Sequence, residues 1–130
     1  MIEVFTDGAS SGSPGISGAG VYIKANKQIK EFSIPLPVMT NHEAEFHAVI
    51  HALDICIDLY PGEIIALQSD SQLVIQGIEK RFVKNEQYHE LLHQVLERIA
   101  YFPYVFAKWI PGKQNFHADR LAKKAIQQQK

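Results

Sequence analysis

Apolar and polar positions alternate at the start of the chain, with Ile2, Val4 and Thr6 set against Glu3, Phe5 and Asp7. Period two is the signature of a strand. Asp7 is therefore expected at or near a strand end, where Gly8, Ala9 and Ser10 leave room around it. Residues 10–15 form a dense turn cluster, after which Gly18, Ala19 and Gly20 lead into a second strand at 21–23. The spacing Gly15-x-x-Gly18-x-Gly20 has the wrong order for a dinucleotide fingerprint and no helix follows, so a tight turn and close strand packing are expected. A third strand is expected over 29–34. The short connections make an antiparallel meander that Pro35 and Pro37 end.

The pattern then changes to a helical period. Thr40-Asn41-His42-Glu43 fits a capping box, and the helix runs to about Tyr60, where Pro61-Gly62 stops it. Its polar stripe is Glu43, His47, His51, Asp54 and Asp58; its apolar stripe contains Phe46, Val49, Ile50, Leu53, Cys56 and Ile57. Glu45 departs from the polar stripe. Ala48, Val49 and Ala52 lie at i+3, i+4 and i+7 from it, so it projects along the buried side, either as a metal ligand or in support of the helix N-terminus.

Residues 63–68 read as a strand buried on both faces, suited to a central parallel position. The strand runs into Ser69-Asp70-Ser71 and a helix over about 71–80, so Asp70 is either a ligand at the strand's carboxyl end or a helix cap. A basic connection over 80–85 leads to a helix over about 86–101 and a last strand at 104–110. After a loop over 111–115, Asn115 is the expected N-cap of a final helix. That helix has Ala118, Leu121, Ala122 and Ala125 on its core face, Asp119 beside them, and a frayed end from Gln127.

Composition narrows the picture. One domain over residues 1–130 is expected from the length. With 13 basic and 14 acidic residues the net charge is -1, which excludes holding nucleic acid by bulk charge alone. Cys56 is the only cysteine, so no intramolecular disulfide forms and a buried small hydrophobe is expected. There is no signal-peptide pattern at the N-terminus and no apolar run of roughly 18 residues. The expectation is a cytoplasmic protein without membrane contact. The pairs His47/His51 and His89/His93 have i, i+4 spacing but no third ligand at hand, and read as solvated helix faces.

Four acids, Asp7, Glu45, Asp70 and Asp119, recur in comparable settings on separate elements. Carboxylates gathered in this way need cations to neutralise them, which points to a metal-dependent phosphodiesterase. The words Phe5-Thr6-Asp7-Gly8-Ala9, Thr40-Asn41-His42-Glu43-Ala44-Glu45, Ser69-Asp70-Ser71-Gln72 and Asn115-Phe116-His117-Ala118-Asp119-Arg120-Leu121-Ala122 occur in this order. Together they resemble type 1 ribonuclease H, in a compact form without the basic protrusion, over essentially the whole chain. The resemblance implies an α/β ribonuclease H-like fold, with a five-stranded mixed sheet of three antiparallel strands plus two parallel ones, flanked by helices. It implies cleavage of the RNA strand of RNA/DNA hybrids with two Mg²⁺ or Mn²⁺ ions held by Asp7, Glu45, Asp70 and Asp119, with Asp7 bridging. It also implies substrate contacts from Ser13, Asn41 and Gln72, and a DNA-phosphate contact from Thr40, and Lys113 is a further candidate for substrate binding.

Two departures from the family pattern bear on activity. The loop before the last helix is shortened, and Lys113 stands where many members carry a histidine that assists proton transfer or product departure. The basic, Trp-rich insertion after the Asp70 helix is missing, leaving Lys80, Arg81 and Lys84 and weaker expected hybrid affinity. A monomer with no obligate protein partner is expected. Two rival readings stay open: a nucleic-acid-binding module of this fold with little or no catalysis, and a nuclease acting on another RNA.

Overall fold

In the computed structural model, which describes residues 1–130, the first strand runs on past Asp7. β1 covers Ile2–Ser10, β2 Gly15–Ala25 and β3 Gln28–Met39, paired antiparallel in that order. α1 (Asn41–Leu59) leads to β4 (Ile65–Ser69), which lies parallel to β1. α2 (Gln72–Lys80) and α3 (His89–Ile99) lead to β5 (Val105–Trp109), parallel to β4, and α4 (Phe116–Gln127) follows. The sheet order β3-β2-β1-β4-β5 is the five-stranded mixed arrangement expected.

Several boundaries differ from the sequence reading, each for a physical reason. Asp7 lies inside β1, because that strand keeps pairing with β2 through Ser10 after its parallel pairing with β4 has ended at Thr6. Gly18, Ala19 and Gly20 belong to β2 itself. At Gly20 a Cβ would overlap the Ala118 carbonyl oxygen, so the glycine is what lets α4 lie directly on the strand. β3 continues through Pro35 and Pro37 because it is the outermost strand, where a missing N–H donor is tolerated. The helix expected from residue 86 opens instead as a 3₁₀ turn, Glu86–Tyr88, capped by Asn85 Oδ1 accepting from the Gln87 N–H at 2.9 Å. That turn buries the Tyr88 ring against Phe46. The chain end is tied rather than frayed at Gln129, whose side-chain amide donates to the Ser17 carbonyl at 2.7 Å.

Successive strand residues face opposite sides of the sheet. Val4, Val21, Ile23 and Leu67 face one side and pack with Phe46, Val49 and Leu53 of α1, Val74 of α2 and Val95 of α3. All of these are fully buried, as is Cys56, whose thiol burial pushes up to about 12. The capping box of α1 forms: Thr40 Oγ1 accepts from the Glu43 N–H at 3.3 Å, and Glu43 Oε1 accepts from the Thr40 N–H at 2.9 Å. The other face of the sheet carries Asp7 and its cross-strand partner Gly20, with α4 lying across β1, β2 and β3. Gly8 does for α1 what Gly20 does for α4, since a Cβ there would overlap the Ala44 carbonyl oxygen. Helices from both faces thus close on β1 at Asp7.

Candidate active site

The site forms where β4 stops short of β1. Ser69 is the last β4 residue paired to β1, opposite Thr6, so Asp7 has no parallel neighbour and borders a notch in the sheet. Glu45 enters from the first turn and a half of α1, and Asp70 from the first residue after β4. One carboxylate oxygen from each of Asp7, Glu45 and Asp70 lies within 4.8 Å of the others. Asp119, from the first turn of α4, stands beside Asp7 and within hydrogen-bonding reach of it. Its side chain is 42% exposed, and its Oδ2 holds Lys123 Nζ at 3.0 Å, an ion pair that raises the Lys123 pKa.

The backbone on both sides of Asp70 is fixed. Ser71 Oγ caps α2 by accepting from the Val74 N–H at 3.3 Å, and Ser69 Oγ accepts from the Ser71 N–H at 3.0 Å. Trp109 Nε1 donates to the Asp70 carbonyl at 3.1 Å. The capping role left open for Asp70 therefore falls to Ser71, and the Asp70 carboxylate is free for other work. Glu45 has a side chain only 13% exposed and accepts from His42 Nδ1 at 3.0 Å.

Electrostatics follow from this crowding. Burial pushes the Asp7 carboxyl up, and the charges of Asp70, Asp119 and Glu45 and the hydrogen bond to Asp119 add to it, reaching about 8. Glu45 is also raised, by burial first and by the Asp70 charge, against the opposing His42 contact and Ser71 hydroxyl. The chain's own cation sits only at the rim, on Asp119. Oxygen-only donors around a self-repelling centre suit a hard divalent cation.

The remaining expected residues surround this cluster without entering it. Ser13 is exposed in the β1–β2 turn, and Asn41 and Gln72 are exposed as the first residues of α1 and α2. Thr40 is half-buried and accepts in its cap, which leaves its O–H free to donate outward. Lys113 is exposed in a 3₁₀ turn, Gly112–Gln114, that passes against Asp70: a Cβ at Gly112 would come within 3.3 Å of Asp70 Oδ2.

Asn115 precedes α4 but does not cap it with its side chain. It is buried and donates from Nδ2 to the Thr6 carbonyl at 2.9 Å. Sequence reasoning missed this tie, and it missed His42; the one available signal for His42 was its i−3 position relative to Glu45. Of the histidine pairs, His89 and His93 are exposed as expected, whereas His47 and His51 are less solvated. His47 and His51 are half-buried, with pKa values lowered chiefly by burial, and His89 Nε2 donates to the Val83 carbonyl at 2.8 Å. The largest concavity, about 550 Å³ between α2, α3 and β5, contains none of the four acids.

The chain is similar to known proteins along nearly its whole length. The family pattern described as RNase H matches residues 1–127. EbsB of Enterococcus faecalis, named as a candidate hydrolase, is 37% identical over 128 residues, covering 98% of this chain and 95% of that protein. Ribonuclease H of Erythrobacter litoralis is 33% identical over 144 residues, covering 95% of this chain and 94% of that protein. Among solved structures, LC11-RNase H1 in complex with RNA/DNA hybrid superposes with a TM-score of 0.90 at 27% identity, covering 98% of each chain.

Proposed function

The chain belongs to the ribonuclease H family, and from that premise we propose that it is an endonuclease hydrolysing the RNA strand of RNA/DNA hybrids with two Mg²⁺ or Mn²⁺ ions. The carrying observation is the gathering of Asp7, Glu45 and Asp70 oxygens within 4.8 Å, on a buried strand residue whose carboxyl is pushed up to about 8. A set of acids this unfavourable by itself fits a cation-dependent centre.

Asp7 on the central strand, Glu45 and Asp70 would hold the ions, with Asp119 completing the set at its rim. Bound there, divalent cations would activate the attacking water and stabilise the leaving 3′ oxygen of an in-line displacement, leaving 5′-phosphate and 3′-hydroxyl ends. The bonds around Asp70 fix its main chain before the substrate arrives. The exposed hydroxyl and amides of Ser13, Asn41 and Gln72 would reach 2′-hydroxyls and the strand backbones, which distinguish RNA from DNA. Thr40 would donate to a DNA phosphate, and Lys113, beside Asp70, would meet a phosphate near the cut.

The test is a labelled RNA/DNA hybrid incubated with Mg²⁺, with Mn²⁺ and with chelator, alongside Asp70→Asn. Metal-dependent cleavage of the RNA strand, lost in the variant, is the expected result. Two features favour a second reading. Lys113 in the loop and the sparse basic residues Lys80, Arg81 and Lys84 suit a binding module with little turnover. Salt-sensitive hybrid binding without cleavage in either metal would establish that reading instead.

A further inference from the structure

His42 is bound on both sides. It lies three residues before Glu45 on the same face of α1, and its Nδ1 is 3.0 Å from Glu45 Oε1. A carboxylate oxygen accepts, so Nδ1 carries the hydrogen and Nε2 faces outward. The imidazole sits outside the carboxylate it holds, its side chain 57% exposed against 13% for Glu45. Its ring packs edge-to-face on Tyr88, with centroids 6.1 Å apart at 77°. Tyr88 is itself stacked on the fully buried Phe46 at 5.5 Å. A continuous line of contact therefore runs from the core through Tyr88 and His42 to Glu45.

This line answers a physical problem at the site. Glu45 has three side-chain torsions and faces the like charge of Asp70. A flexible acid repelled from within turns toward water unless something outside holds it. We propose that His42 is a positioning residue, keeping the Glu45 carboxylate turned toward Asp7 and Asp70 so that the divalent-cation site is formed before the cation arrives. The inference rests on the metal-dependent reading of the site but concerns cation binding, not cleavage. Groups that orient a metal-binding carboxylate act on affinity rather than on the fold.

Two variants separate the hydrogen bond from the ring. His42→Asn places an amide N–H near the position of Nδ1, whereas His42→Phe keeps a ring on Tyr88 and loses the donor. Mn²⁺ binding is measured by calorimetry without nucleic acid, and thermal midpoints are taken in chelator. The expected result is Mn²⁺ affinity about tenfold weaker in His42→Phe and within about twofold of wild type in His42→Asn. All midpoints in chelator should be unchanged, and hybrid cleavage by His42→Phe should recover as Mn²⁺ is raised.

Wild-type Mn²⁺ affinity in a folded His42→Phe protein would overturn the proposal. So would an Asn variant as weak as the Phe variant, or a wild-type protein that binds no Mn²⁺. A wild-type protein that binds Mn²⁺ with the expected variant pattern but leaves the hybrid intact would overturn the proposed nuclease function while supporting the role of His42.

Discussion

Asn115 and Thr6 are joined across 109 positions by a buried hydrogen bond of 2.9 Å, from the asparagine Nδ2 to the threonine carbonyl. Thr6 precedes Asp7 on β1, and Asn115 precedes the helix that carries Asp119. One bond thus fixes the spacing of two of the four acids, which come from opposite ends of the chain.

Asn115→Ala should remove that bond and strand the Thr6 carbonyl in the interior. Leaving a buried acceptor unpaired costs about 1–3 kcal/mol. Urea denaturation should show a lower midpoint with an unchanged slope, because the loss is local. Cleavage should fall even where the variant is fully folded, since α4 then carries Asp119 without its anchor. An unchanged midpoint would mean the bond does not hold the two segments together.

Asp7→Asn should abolish cleavage and yet stabilise the metal-free protein at neutral pH. The folded Asp7 keeps its proton to about pH 8, while an unfolded chain releases it near the ordinary 3.8. Between those values the folded state binds more protons, so metal-free stability falls as pH rises through the window and levels off above pH 8. Holding this acid among its neighbours costs on the order of 4 kcal/mol at neutral pH by that linkage. Thermal midpoints in chelator from pH 4 to 9 should decline for the wild type and much less for Asp7→Asn. Added Mg²⁺ should restore the wild type most at the alkaline end.

The half-buried His47 and His51 should act in the opposite sense. Burial lowers both below the ordinary 6.5. As pH falls below that value an unfolded chain takes up protons that the folded chain resists, so stability is lost on acidification. A His47→Gln/His51→Gln protein should show a shallower loss between pH 6.5 and 5 in denaturation at fixed urea. If the slope stayed as steep as in the wild type, other groups would carry the acid sensitivity.

Local rules made much of this architecture legible. The capping box at Thr40, the inward turn of Glu45 and the Asp70 strand end all follow from spacing within one element, and all appear in the structure. What the chain did not disclose is what one element does to another. Pro35 and Pro37 read as strand breakers because nothing local says that β3 is an edge. Gly18 and Gly20 read as a lead-in because α4, the helix that needs them small, lies about a hundred residues further on. Asn115 read as a cap because its acceptor, Thr6, is remote, and the Tyr88 contact that holds His42 crosses from α1 to the turn before α3.

Asp119→Asn should separate the rim of the site from its centre. Asp119 stands outside the three-oxygen group, has a side chain 42% exposed and is partly neutralised by Lys123. An amide there still accepts a hydrogen bond, whereas an amide at Asp70 removes one of the three convergent carboxylates. Cleavage by Asp119→Asn should therefore fall less than by Asp70→Asn, by on the order of tenfold or more between the two, the range seen when supporting groups rather than ligands are altered. The same change removes one of the charges that raise Asp7. The metal-free decline in stability with pH should accordingly be smaller and level off at lower pH in Asp119→Asn than in the wild type. Equal loss of turnover in both variants, with both proteins folded and saturated in Mn²⁺, would place Asp119 on the same footing as the central three.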